Sequence, residues 1–221
     1  MKMLVPINEF GLFADMTGVA KTTSVAVAEY FGKDHKHVLR DIETLECSEE
    51  FNKSNFGLIT YTDARGRKQP CYEMTKNGCI FLTMGYNGKK AAQIKEEYIK
   101  KFDEMERFIS TLTAVKGDFG VLTDGIKAAY GDNAPGYVFS NEMDLLNRIV
   151  TGVSSKKFRE LHNIPKGESI RPYLTEQQLD ALDRLQKVDI GLLVSTPDYH
   201  ERKAILQQYF ERLQSEKVHC A

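Results

Sequence analysis

Thr22-Thr23-Ser24-Val25-Ala26-Val27-Ala28-Glu29-Tyr30-Phe31-Gly32-Lys33-Asp34-His35-Lys36-His37-Val38-Leu39-Arg40-Asp41-Ile42-Glu43 carries two short helical patterns on either side of a glycine. The hydroxyls of Thr22, Thr23 and Ser24 can cap a helix beginning at Val25. Gly32 can stop it, because glycine takes left-handed backbone angles at little cost. Asp34 can cap a second helix from His35 to about Leu45, so only a Gly32-Lys33 turn separates the two. This is the length pattern of a helix-turn-helix.

An advance of about 100° per residue puts Val38, Leu39, Ile42 and Leu45 on one side of the second helix, with His35 near them. Lys36, His37, Arg40, Asp41 and Thr44 fall on the other, and Lys33 stands at the entrance. Two histidines two residues apart on a helix point about 200° apart, so His35 and His37 cannot share an ion and no metal site is expected.

Further on, Leu58-Ile59-Thr60-Tyr61-Thr62 and Cys71-Tyr72-Glu73-Met74 have strand chemistry and flank Asp63-Ala64-Arg65-Gly66-Arg67-Lys68-Gln69-Pro70, which predicts a β-hairpin with a basic tip. A helix can enter the major groove of double-stranded DNA while a hairpin reaches the neighbouring backbone or minor groove. The expected DNA-binding residues are therefore Lys33, Lys36, His37, Arg40, Thr44, Arg65, Arg67 and Lys68. Arg40 is the expected base reader, since arginine grips guanine with two parallel hydrogen bonds, whereas lysine serves chiefly as a phosphate contact. Asp41, Glu43, Glu46, Glu49 and Glu50 follow directly and dilute the positive patch, which keeps a protein target open. Phe56, Tyr61 and Tyr72 are read as core rather than as base-stacking platforms.

The stretch 22–43 resembles the N-terminal signature of the Rha family of phage regulatory proteins. The likeness continues through Tyr72-Glu73-Met74-Thr75-Lys76-Asn77-Gly78, Met84-Gly85-Tyr86-Asn87-Gly88-Lys89-Lys90-Ala91 and Tyr98-Ile99-Lys100-Lys101-Phe102-Asp103-Glu104-Met105-Glu106, covering roughly residues 18–110. In layout it is also similar to the N-terminal domains of phage antirepressors of the Bro and KilA type. The resemblance implies a phage or prophage origin and regulation of phage genes through a winged helix-turn-helix-like domain acting on promoter or operator DNA. Its antirepressor side implies an alternative, the binding and inactivation of a phage repressor or other regulatory protein. It supplies no catalytic residue and no cofactor.

The expected fold class is α+β: a winged helix-turn-helix-like domain over 1–86, a long connecting or dimerisation helix over 87–116, and an all-α domain over 117–221. Pattern changes near Val115–Gly120 and at Asp132-Asn133-Ala134-Pro135-Gly136 support that division. After Asn87-Gly88 a helix is predicted to about Leu112, with Tyr98, Phe102, Met105, Ile109 and Leu112 spaced 4, 3, 4, 3. Such a seam either joins a homodimer as a short coiled coil or packs on the chain's own first domain. Helices are expected at Glu142–Val150, Ser154–His162, Thr175–Val188 and Pro197–Leu213, with a capping box at Thr175-Glu176-Gln177-Gln178 and a cap at Thr196-Pro197. The basic run Ser155-Lys156-Lys157-Phe158-Arg159 reads as a solvated helix face.

A hydrophobic share of 42% suits a packed core, and a net charge of −1 argues against a nonspecific nucleic-acid coat, so any DNA contact must be local. No run approaches the ~18 apolar residues of a membrane span, so the cytoplasm is expected, which the phage resemblance would make that of a bacterial host. Cys47, Cys71, Cys79 and Cys220 lack the paired spacing of zinc sites and are read as structural or incidental. The glycines of Gly85-Tyr86-Asn87-Gly88-Lys89 and Gly117-Asp118-Phe119-Gly120 do not make a P-loop. With no local nucleophile and base signature either, an enzyme is not expected.

Overall fold

Three turns with one chemistry build the sheet of the N-terminal half. In Asn8 to Gly11, Asp15 to Gly18 and Asp63 to Gly66, the leading side chain accepts the backbone N–H groups two and four residues on. Asn8 Oδ1 takes those of Phe10 and Leu12, Asp15 Oδ1 those of Thr17 and Val19, and Asp63 Oδ1 those of Arg65 and Arg67. The fourth residue is in each case a glycine at positive φ (70°, 83° and 75°), where a Cβ would be strained. Burial by itself would raise the Asp15 pKa, but the hydrogen bonds from Thr17, Val19 and Lys21 outweigh it and hold the carboxyl at about 2.

The computed structural model describes residues 3–219, and side chains over 3–215; Cys220 lies outside the described residues. The chain runs β1 (Met3–Val5), β2 (Phe13–Asp15), β3 (Ala20–Thr23), α1 (Ser24–Phe31), α2 (His35–Glu43), α3 (Glu49–Asn55), β4 (Phe56–Thr62), β5 (Lys68–Thr75), α4 (Lys76–Met84) and α5 (Lys89–Tyr130). The sheet is antiparallel with strand order β1-β2-β3-β5-β4. The hairpin was legible in the sequence. The three strands before it were not, because three or four residues are too few for an alternating pattern to register. The register β3 to β5 pairs Lys21 with Thr75 and Thr23 with Glu73, so β5 from Tyr72 back to Lys68 passes the end of β3 and continues as a two-stranded ribbon with β4.

One hydroxyl ties both helices of the opening pair to this ribbon. Ser24 is fully buried at the start of α1; its Oγ accepts the Tyr72 N–H at 3.0 Å and lies 2.8 Å from His35 Nε2 at the start of α2. Burial lowers the His35 pKa against the opposing charge of Asp34, which favours a neutral ring able to accept the Ser24 proton. The His35 ring also stands edge-on to Tyr61 of β4, 5.6 Å between centroids.

The described chain divides into two compact units, Met1–Ile109 and Ser110–Ala221. The division between them falls inside α5, whereas the sequence pattern predicts boundaries at 86 and 116. That helix does not break at Gly117 and Gly120. A helical glycine costs about 1 kcal/mol relative to alanine, and the neighbouring Val115, Leu122 and Ile126 are each buried, at roughly 1.5–3 kcal/mol apiece. The seam Tyr98, Phe102, Met105, Ile109 and Leu112 is buried within the single chain. Tyr98 donates to the Phe10 carbonyl at 3.0 Å, lies 2.8 Å from the Thr22 hydroxyl, and packs its ring against Tyr30, Phe31 and Phe102. Within the single chain this apolar stripe is covered, as the packing reading of that spacing expects.

The second unit is helical: the remainder of α5, α6 (Gly136–Thr151), α7 (Ser155–Leu161), a 3-10 turn at Arg171–Tyr173, α8 (Glu176–Ser195) and α9 (Tyr199–His219). The capping box forms, with Thr175 Oγ1 accepting the Gln178 N–H at 3.1 Å and Gln178 Oε1 accepting the Thr175 N–H at 3.0 Å. The cap expected at Thr196-Pro197 moves to Asp198, whose carboxylate accepts the Glu201 N–H at 2.8 Å and is the stronger acceptor. On α7, Phe158 turns inward while Lys156 and Lys157 are exposed. Within the leucine core sits an ionic cluster. Fully buried Arg202 lies 2.8 Å from Glu142 and 3.8 Å from Asp189, and donates to the carbonyls of Thr196 and Pro197. Neither Asp189 oxygen accepts a hydrogen bond.

Two predictions follow from these buried polar groups. Burial and then the neighbouring Glu142 charge push Asp189 up to about 7, only partly offset by Arg202. An unfolded aspartate titrates near ~3.9, so the stability from this group is full below about pH 4 and is lost as pH rises through about 7, at up to ~1.4 kcal/mol per pH unit. Asp189→Asn should flatten that slope in urea-unfolding midpoints taken across the window; identical slopes in the two proteins would refute the assignment. Ser24→Ala leaves the Tyr72 N–H and the His35 ring without their shared partner and should lower stability by about 1–3 kcal/mol in the same measurement. A loss of a few tenths would mean that the tie is dispensable.

Candidate nucleic-acid interface

The candidate helix α2 is fixed at both ends by its own sequence. Asp34 caps it by accepting the Lys36 N–H at 3.1 Å. Upstream, Thr23 caps α1 through the Ala26 N–H, and Gly32 closes α1 in the left-handed conformation at φ 63° while Lys33 N–H reaches the Ala28 carbonyl. Both glycine and cap therefore sit where the sequence places them.

Val38 and Ile42 are buried and Leu39 and Leu45 half-buried, so the apolar side of α2 is the expected one. Lys36, His37, Arg40 and Thr44 are exposed on the other side. Lys36 lies 3.4 Å from the Asp34 carboxylate, both well exposed, an interaction of little strength in water. Arg40 makes no ion pair among the described residues; its carbonyl accepts the Thr44 hydroxyl at 2.9 Å. Thr44 thus caps the C-terminal end of the helix as well as forming part of its exposed surface.

Lys33 is placed differently from the rest. Its ammonium pairs with Asp41 at 3.0 Å and stands 3.4 Å above the ring of Tyr86, which itself lies edge-on to Phe31. These contacts brace the turn between α1 and α2 against the segment leading into α5, and they neutralise one acidic residue of the run that follows. On the hairpin, Arg67 is likewise engaged, its guanidinium 3.0 Å from Asp63. Hydrogen bonds hold the Asp63 carboxyl below the usual range, foremost that from the Arg67 N–H. Arg65 and Lys68 are exposed and form no side-chain hydrogen bond or ion pair among the described residues.

Of the eight candidate residues, Lys36, His37, Arg40, Thr44, Arg65 and Lys68 present side chains to solvent, Arg67 is exposed as well but paired with Asp63, and half-buried Lys33 braces the turn between α1 and α2. The His35–Tyr61 contact places the hairpin near its tip beside the first turn of α2. Sequence reasoning assigned His35 to the buried side but did not find its role as this link. The signal would have been the helix-starting Ser24 and His35 together, whose contact depends on the tertiary fold. Of the aromatic residues read as core, Phe56 is buried and Tyr61 and Tyr72 are half-buried. Cys71 and Cys79 are buried free thiols, and burial pushes the Cys79 thiol up to about 12, far from reactive.

Over 88 residues, 38% of this chain and 50% of the relative, the sequence is 48% identical to an uncharacterized protein of Haemophilus influenzae. It is 37% identical over 91 residues, 40% of this chain and 45% of the relative, to an uncharacterized 22.8 kDa protein of Salmonella phage P22. It is 31% identical over 97 residues, 42% of this chain and 39% of the relative, to a Bacillus subtilis protein named as a candidate antirepressor derived from the SPbeta prophage. The chain spans half or less of the length of these curated relatives. No helix among the described residues is long and apolar enough to cross a membrane. Residues 22–107, which hold the paired helices, the hairpin and the first part of α5, match the family model of the phage regulatory protein Rha.

Proposed function

We propose that this protein is a non-enzymatic phage or prophage regulator that binds double-stranded promoter or operator DNA as a homodimer in the host cytoplasm. In this reading α1, α2 and the β4–β5 ribbon act as a winged helix-turn-helix. α2 lies in the major groove and the hairpin tip on the adjoining backbone or minor groove. The observation that carries it is the outward face of α2, where Lys36, His37, Arg40 and Thr44 are exposed on a helix anchored through His35 to the ribbon bearing Arg65 and Lys68. Arg40 has the length and the two-pronged donor geometry to grip guanine, while Lys36, Lys68 and Arg65 contact phosphates. A net charge of −1 leaves this local patch as the attraction.

A second reading has its own support. The B. subtilis relative is named as a candidate antirepressor, and acidic Glu43, Glu46, Glu49 and Glu50 follow the basic residues of α2 directly in the sequence. In that reading the same surface receives a repressor rather than DNA.

Fluorescence anisotropy on phage promoter fragments separates the two. Arg40→Ala should weaken binding to the preferred sequence by about 1–3 kcal/mol, roughly one to two orders of magnitude, and relax sequence preference. Arg40→Ala with Arg65→Ala should abolish specific binding while circular dichroism stays unchanged, and log affinity should fall linearly with log salt. Affinity that is indifferent to these changes would sink the DNA reading. Recovery of a repressor from a lysogen together with no shift of promoter DNA would select the antirepressor.

A further inference from the structure

The sheet has three edges that could accept another strand, and two of them are closed. β1 is three residues long and carries a register shift between Met3 and Val5. Where β5 runs beyond β3, Pro70 has no N–H to offer and the Tyr72 N–H is taken by Ser24. The third edge is β4, Phe56-Gly57-Leu58-Ile59-Thr60-Tyr61-Thr62. It has no proline and no charge, and it pairs with β5 without a bulge from Phe56 through Thr62. Natural proteins blunt exposed edges with charge, proline, bulges or short strands, and β4 has none of these.

The hydrogen-bond parity of the ladder shows which groups face outward. Antiparallel pairs alternate between those that exchange two bonds and those that exchange none. The Tyr72 N–H points away from β4 to Ser24, so Leu58 and Tyr72 are a non-exchanging pair. Two residues on, Thr60 faces Pro70, which must be non-exchanging as well because proline has no donor. The N–H and C=O of Leu58 and Thr60 consequently point to the open side, and among the described residues no other backbone group bonds to them. The Leu58 side chain is 67% exposed, with Tyr72 as its cross-strand neighbour.

We propose that this edge is the surface on which two copies of the chain meet, β4 against β4 in antiparallel fashion about a two-fold axis, joining two five-stranded sheets into one. The uncharged strand does not repel its own copy. Outward donors and acceptors repeat every second residue, so an antiparallel copy of the same strand is self-complementary, as an isologous interface requires. Leu58 from each copy covers the other's exposed apolar face. The pairing supplies a homodimer surface separate from the α5 stripe, which is buried within the single chain, and it does not depend on what the basic face binds. One strand pair buries less than the ~1,600 Å² of a standard interface, so the dimer dissociates on dilution.

The test is sedimentation velocity on the full chain over a concentration series, with backbone hydrogen exchange in parallel. Wild type should pass from the 25.1 kDa monomer to twice that mass, and the Leu58 and Thr60 amides should become protected as the dimer fills. Thr60→Pro removes an outward donor without touching the bonds to β5. Leu58→Lys adds a charge to the edge at an already exposed position. Each should weaken dimerisation at least tenfold with unchanged circular dichroism, and the lysine variant serves alone if the proline variant does not fold. A wild type that stays monomeric, a dimer that both variants retain, or protection of these amides only after a different protein is added would overturn the proposal. Salt-dependent DNA binding that persists in a monomeric variant would leave the DNA reading standing apart from this one.

Discussion

A single hydroxyl group holds the candidate interface in register. Ser24 occupies the first turn of α1, touches the first residue of α2 and satisfies a strand N–H at the root of the hairpin ribbon. Buried polar groups are costly unless paired, so each partner is constrained by the other two. The orientation of α2 relative to the ribbon is therefore set by hydrogen bonds with narrow angular tolerance as well as by apolar packing, which tolerates some sliding. The ring contact between His35 and Tyr61 adds a second constraint at the same end of the helix. The opposite end is braced by Lys33 between Asp41 and the Tyr86 ring.

What was legible in the sequence and what was not divides along the range of the interactions involved. The caps at Thr23, Asp34 and Thr175, the stop at Gly32 and the hairpin around Asp63 and Gly66 are local codes, and the structure uses them as written. The turns at Asn8 to Gly11 and Asp15 to Gly18 follow the same code as Asp63 to Gly66, so the first strands could have been located by their turns where strand alternation was too short. The continuation of α5 was also written in the chain. The buried stripe of Tyr98 to Leu112 carries on through Val115, Leu122 and Ile126, but two glycines obscured it. Composition marks a glycine as a break, whereas burial on either side makes it tolerable.

The candidate site shows the limit from the other direction. Helical geometry alone predicted which side chains of α2 face solvent, because that depends only on the helix and its apolar stripe. It could not separate Lys33 and Arg67 from the remaining basic residues. Their partners, Tyr86 and Asp63, are chosen by tertiary packing in one case and by the details of a turn in the other. The seam of α5 was ambiguous for a related reason. A 4-3 spacing specifies a buried stripe without saying what buries it; at Tyr98 the covering rings are those of Tyr30 and Phe31, which no spacing could name.

The strand order β1-β2-β3-β5-β4 has a kinetic consequence. β1, β2 and β3 are joined by short turns, and β4 to β5 by another, so each set can zip from its own loop. The junction between the sets pairs Lys21 with Thr75 and must close a long intervening segment containing α1, α2 and α3. Loop closure of that kind has an entropic cost before any contact offsets it, and non-local pairing is what slows folding in small domains. The step that creates the sheet is thus the same step that brings Ser24 to Tyr72, and the helix pair acquires its final orientation only as the slow event completes.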